Sequence, residues 1–194
     1  AYMRALRTLH RRATDLGLAT TDAALFRRVF TGREMTAKRS ATADDLRRLR
    51  ALNLPEGSLL ALARDIFIFS FYAMGMPFVD IAYLRKSQVS DGQIHYARRK
   101  TAQRISVAVE PCMEEIMRRL DNPASDFVFP ILDASDDVTL HRQYLSRLRS
   151  YNYSLCRLAE MAHCSRHLSS YVARHSWASL AYKNNVDLKL IGKA

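Results

Sequence analysis

Cysteine is scarce in this sequence: Cys112, Cys156 and Cys164 are all there is, with no CxxC pair. An odd count without paired spacing argues against a disulfide framework and fits a reducing compartment, so a cytoplasmic location is expected. Cys156, His163, Cys164 and His167 lie close together, but adjacent His163 and Cys164 are awkward ligands on one helix, and no metal site is expected. Glycine is sparse as well, at 6 residues, and no Gly-rich phosphate loop, HExxH or GxSxG string occurs. Long uncharged apolar runs are missing too. The longest, Leu59 to Val79, is broken by Arg64 and Asp65. A spanning helix needs ~20 apolar residues, so this one reads as a buried core helix and no membrane partner is expected. The opening AYMRALRTLHRR is basic throughout, without the apolar block of a secretion signal.

Acidic residues are also in deficit. Nineteen Asp and Glu stand against thirty Lys and Arg, a formal charge of +11 with pI near 10.0. Of the thirty, 24 are Arg and 6 are Lys. Arg presents a planar fork that grips phosphate through two parallel hydrogen bonds, so the surplus points to a polyanion; a G+C-rich genome would also favour Arg codons. The charge is unevenly spread: residues 1–50 hold 12 basic and 5 acidic side chains, residues 114–137 hold 2 and 7, and residues 138–174 hold 6 and 1. One face turned to a polyanion and another turned away would produce such a layout.

At 194 residues and 48% hydrophobic content, the chain can build one ordinary core with part of a second domain. Apolar spacing predicts helices over Tyr2–Leu18, Asp22–Val29, Ala43–Leu52, Leu59–Met74, Phe78–Leu84, Pro111–Leu120, Ser169–Tyr182 and Asp187–Lys193. Thr139–Ala162 reads as one long basic helix, or as two with a break near Tyr151. Thr42 with Asp45 forms a capping-box start, Ser58 can cap the long apolar helix, and Gly75 can end it. Gln93–Arg98 and Arg104–Val109 alternate as a hairpin with Lys100 near its tip, and Phe127–Leu132 is a short apolar segment. The expected class is mainly α with a small antiparallel β-hairpin or sheet. TGREMTAKRSAT, residues 31–42, reads as a linker between residues 1–30 and 43–194. The lack of an initial Met and the helix stopping at IGKA suggest a piece of a longer protein.

Two sites carry chemistry. In YVARHSWASLAY a helix puts Tyr171, Arg174 and His175 within one turn, where hydroxyl, guanidinium and imidazole can meet one anion. The same string also reads as an amphipathic helix burying Val172, Trp177 and Leu180. Lys100 at a turn tip can reach a groove and protonate a leaving oxygen, or simply be solvated.

YVARHSW, the turn Lys in HYARRKTAQRISVAV, and FSFYAMGMPFVDIAYL together resemble, in order and spacing, the catalytic domain of tyrosine recombinases, the phage-integrase family. The resemblance spans roughly Lys38 to Ala194, and LFRRVFTG with the first helix resembles the end of the core-binding domain. It implies a tyrosine-recombinase catalytic-domain-like fold and a site-specific recombinase or integrase of the kind mobile elements carry. A Tyr hydroxyl would attack a DNA phosphodiester to give a 3′-phosphotyrosyl link, with no metal or nucleotide cofactor. Arg174 would be the second Arg of HxxR and Lys100 the general acid, with His175 supporting the helix. Arg11, Arg12, Lys38, Arg39, Arg142 and Arg147 would contact the backbone of double-stranded DNA, and the full-length protein would act as a homotetramer.

The sequence departs from that pattern in three places. Tyr171 occupies the first HxxR position, and a Tyr hydroxyl is a poor proton acceptor near neutral pH. The first catalytic Arg would fall at Pro77 or Met74, neither of which is charged, and Arg85, Arg98 or Arg99 could stand in spatially. The family's nucleophilic Tyr follows the segment resembling Asp187–Ala194, so the 194 residues alone are expected not to cleave DNA. A non-catalytic DNA-binding relative or regulator of recombination, a helical interaction domain and a type IB topoisomerase are the competing readings.

Overall fold

The computed structural model describes residues 2–20, 24–29, 40–133 and 136–193. Two compact units divide between residues 37 and 38. The first contains helix α1 (Tyr2–Asp15), which ends ahead of Gly17 in the left-handed region, φ +69°. Residues 24–28 form turns rather than the expected helix. The His10 ring meets Phe26 edge-on at 5.7 Å, a contact supplied by the turns. Lys38, Arg39 and most of the 31–42 segment lie outside the described residues.

The second unit is organised by one helix. Ser58 caps α3 (Leu59–Tyr72) by accepting from the Ala61 amide at 3.1 Å. Nearly every residue of its second half is buried, so α3 must be covered on all sides. Helices α2 (Ala43–Ala51), α4 (Phe78–Ala82), α5 (Pro111–Arg119), α6 (Asp137–Met161) and α7 (Val172–Lys183) all pack on it. Phe67 and Phe69 are essentially inaccessible, and Phe69 meets Phe129 edge-to-face at 4.7 Å. Burying side chains of this size contributes ~2–3 kcal/mol each. The Arg64 and Asp65 pair that interrupts the apolar run is satisfied locally: Asp65 accepts from Arg64 at 3.0 Å and from Arg119 at 2.9 Å.

A three-stranded antiparallel sheet in the order β1 (Val89–Ser90), β2 (Gln93–Ala97), β3 (Arg104–Ala108) stands beside the helices. Strand β1 was not expected. The hairpin pairs Tyr96 with Ile105 and Ala97 with Arg104, and Ile94, Tyr96, Ile105 and Val107 face inward. Helix α6 is continuous through Tyr151, without the break its polar Tyr-Asn pair suggested. Tyr151 is buried and stacks on Phe78 at 4.4 Å, so packing holds that turn in place. Helix α8 (Leu188–Lys193) follows α7 and packs on it. Among the described residues no helix is long and apolar enough to cross a membrane.

The capping box at α2 forms as expected and extends across the fold. The Thr42 amide donates to Asp45 at 2.9 Å and the Asp45 amide to the Thr42 hydroxyl at 3.1 Å. The buried Asp45 carboxylate also accepts from the amide and hydroxyl of Ser165, at 3.1 and 2.9 Å, and pairs with Arg48. Burial would raise its pKa, but the hydrogen bonds from Thr42 and Ser165 outweigh it and hold the group at about 2. A lowered carboxylate pKa stabilises the fold above the unfolded value of 3.8, and that stabilisation disappears as pH falls through about 2. Asp45→Asn should flatten this part of the acid-unfolding curve, and Asp45→Ala should cost ~2 kcal/mol in urea melts at pH 7. Unchanged acid unfolding in Asp45→Asn would show that the carboxylate is not held in its charged form.

Candidate functional site

The site forms where the turn after α3 meets the N-terminal end of α7. Ala73 ends α3, and the chain turns through Met74 and Gly75, both at positive φ, +56° and +71°. The Ser70 hydroxyl donates to the Met76 carbonyl at 2.8 Å and fastens the turn to the helix above it. A Cβ on Gly75 would lie 2.7 Å from the Arg174 Cα, so α7 passes too close for any other residue. Arg174 projects from the first turn of α7, half-buried, and its Nη1 donates to the Gly75 carbonyl at 3.2 Å.

Pro77 then starts α4, whose first turn carries the buried Asp80. Asp80 Oδ1 accepts the Arg99 amide at 3.0 Å, which ties the turn of the β2–β3 hairpin to α4. Oδ2 lies 4.0 Å from Arg98 Nε, a buried donor without a hydrogen-bond partner among the described residues. Leaving such a donor unpaired costs ~1–3 kcal/mol. The Arg99 guanidinium covers the Tyr83 ring at 3.8 Å, a cation–π contact that further locates the hairpin. Tyr83, Tyr144, Phe78 and Tyr151 continue as an aromatic series onto α6.

The electrostatics of this corner are those of a crowded cationic site. Burial lowers the Arg174 pKa, and the neighbouring Arg98 charge lowers it further, against the opposing pull of Tyr96, Tyr171 and Asp80. Burial raises Asp80, with the Arg99 amide and the three Arg charges opposing. Tyr96 is pushed up to about 12, chiefly by burial, so its hydroxyl is neutral at physiological pH. Three guanidinium charges, those of Arg98, Arg99 and Arg174, thus act on one buried carboxylate whose ionisation burial disfavours.

The sequence-predicted residues separate into groups. Arg174 belongs to the cluster, and Tyr171 lies close enough to influence it electrostatically. Tyr171 is 62% exposed, and its ring lies 6.1 Å from that of the exposed His175. Trp177 is partly buried against the core and Val172 fully buried, whereas Leu180 is exposed, against expectation. Lys100 is exposed in the hairpin turn, one residue beyond the anchored Arg99. Met74 packs on the core and Pro77 occupies the α4 cap, so neither position places a cation here. Arg85 is occupied elsewhere, 3.6 Å from Asp126 and over the Phe127 ring. Arg11, Arg12, Arg142 and Arg147 are exposed on α1 and α6. Asp80, Tyr96 and Gly75 were not predicted as site residues. The strand alternation contained a signal for the inner face: residues 94, 96 and 98 share a side, which directs Arg98 inward and Arg99 outward.

No protein-family model and no curated protein sequence matches the chain. Solved structures do. A lambda integrase (residues 75–356) dimer bound to a COC′ core site aligns with TM-score 0.64 at 16% identity, over 98% of this chain and 66% of that one. Lambda integrase (residues 75–356) bound to DNA gives 0.58 at 16%, over 93% and 63%. XerA recombinase gives 0.55 at 15%, over 84% and 57%. The chain thus spans between about half and two thirds of the length of these structures. It has the fold of a tyrosine recombinase, mostly helical with a small antiparallel sheet.

The close approach at Gly75 makes a direct prediction. Gly75→Ala should lower stability by ~1–3 kcal/mol, because the added Cβ meets backbone and the φ is strained. A thermal melt unchanged from that of the parent chain would mean that α7 can move away from the turn.

Proposed function

We propose that this chain is the catalytic part of a site-specific DNA recombinase or integrase, which breaks and rejoins duplex DNA through a 3′-phosphotyrosyl intermediate. The observation that carries the reading is the half-buried Arg174, held against the Gly75 turn beside Asp80 in a recombinase fold. In this reading residues 1–30 are the end of a core-binding domain, 31–42 the linker and 43–194 the catalytic domain. The attacking Tyr belongs to sequence downstream of the segment 187–194. Its hydroxyl loses its proton to water as its oxygen bonds to phosphorus, the bond to the 5′ oxygen breaks, and the Lys100 ammonium supplies the proton that the leaving oxygen takes. Arg174 stabilises the negative charge that gathers on the pentavalent phosphate. The Tyr171 hydroxyl donates a hydrogen bond to the same phosphate, and His175 supports the helix. Arg11, Arg12, Lys38, Arg39, Arg142 and Arg147 contact the duplex backbone, and the full-length protein assembles as a tetramer on two sites.

A non-catalytic DNA-binding relative is the second reading. It is favoured by the uncharged Met74 and Pro77, where the resemblance calls for Arg.

A nicked suicide duplex, built from DNA flanking the gene and given to the protein continued through its downstream Tyr, tests the first reading. A covalent protein–DNA band is expected, and Arg174→Ala should reduce it ~100-fold or more while duplex affinity changes little. A band of undiminished intensity in that variant would remove Arg174 from the chemistry. Binding of the chain to duplex should also weaken by ~10³-fold or more between 50 and 200 mM salt, given about six phosphate contacts. Affinity independent of salt would contradict a backbone-binding surface.

A further inference from the structure

We propose that Arg98 is a second phosphate-binding residue, which clamps the same oxyanion as Arg174 and replaces the Arg missing at positions 74 and 77. The proposal rests on the recombinase reading for the identity of the phosphate, but its geometry stands independently of it.

Both guanidinium groups reach the short segment 74–80 from outside. Arg174 arrives from α7 and donates to the Gly75 carbonyl at 3.2 Å. Arg98 arrives from the end of β2, and its Nε stops 4.0 Å from the Asp80 carboxylate. That separation is too long for a hydrogen bond, and the Nε has no other partner among the described residues although it is buried. A buried charged donor left without an acceptor calls for an explanation, and an anion held by the guanidinium is one that suits its chemistry. The other cations near the segment are accounted for: Arg99 lies over Tyr83 and Arg85 beside Asp126. Arg98 is also the basic residue that the hairpin alternation turns inward, behind Ile94 and Tyr96.

Asp80 has the role of a positioning residue. Its Oδ1 anchors the hairpin through the Arg99 amide and its Oδ2 faces Arg98, so one carboxylate sets both the strand and the guanidinium. A tetrahedral oxyanion supplies the buried Arg98 Nε with the acceptor it lacks among the described residues. The ligand class is a phosphate oxyanion held by two forks from different elements, an arrangement selective for geometry as well as charge.

Inorganic phosphate is the probe, titrated into the 194-residue chain with ³¹P line widths and Arg Nε–H chemical shifts as readouts. Arg98→Gln and Arg174→Gln should each weaken phosphate binding about tenfold, and Arg98→Lys should fall between them and the parent. The exposed Arg47→Gln, whose partner is Asp44, should remain within twofold of the parent. Phosphate affinity unchanged in Arg98→Gln, or no binding by the parent chain at tens of millimolar, overturns the proposal. If Arg98→Gln loses its cooperative thermal transition, Arg98→Lys carries the comparison, and parental affinity there overturns the proposal equally. A random-sequence duplex titrated in parallel separates the two ideas. Arg98-dependent phosphate binding without salt-sensitive duplex binding would leave the clamp standing and remove the DNA reading. Duplex binding with Arg98-independent phosphate affinity would do the reverse.

Discussion

The contact between the Gly75 turn and the backbone of Arg174 is the constraint from which the site follows. Helix α7 comes so near that turn that a single added carbon would collide with Arg174 Cα at 2.7 Å. Close approach brings the Arg174 guanidinium against the Gly75 carbonyl and buries half of it, which a looser crossing would leave in water. The turn is itself held by α3, through the Ser70 hydroxyl on the Met76 carbonyl and through the buried side chains around that helix. A central apolar helix thus acts as the rigid support for a cation that belongs to another element.

Charge at this corner is arranged at a cost the fold bears elsewhere. Neighbouring Arg side chains repel, and burial strengthens the repulsion by excluding water. Asp80 offsets part of it, and the tie from its carboxylate to the Arg99 amide prevents the hairpin from withdrawing. By contrast, the buried Asp45 and Asp65 have full sets of partners and serve the frame. At the site the buried atom without a partner among the described residues is a cation's donor, Arg98 Nε.

Local signals in the sequence translated well into structure. The Thr42–Asp45 box, the Ser58 cap and the alternation in Gln93–Arg98 each depend on residues a few positions apart, and each element formed within one or two residues of its expected ends. Signals that needed distant partners failed. Residues 24–28 make turns although their apolar spacing suits a helix. Leu180 looked like core by spacing but is exposed, since the face a short helix buries is chosen by its neighbours.

The candidate site divides in the same way. Arg174, Tyr171, His175 and Lys100 are recognisable in short strings, because a motif carries its residue types and their helical or turn spacing. Met74 and Pro77 are legible only as missing charges. Which cation lies nearest that segment was open among Arg85, Arg98 and Arg99 in the sequence, and the structure separates them: Arg85 pairs with Asp126, Arg99 covers Tyr83, and Arg98 faces Asp80. Composition, capping and periodicity by themselves determined a basic, mainly helical chain with one hairpin and its local elements, since these are short-range properties of the backbone and solvent. Tertiary structure decided which Arg side chains gather at the 74–80 segment, since that depends on α7, α4 and β2 meeting at one point across about a hundred residues of chain.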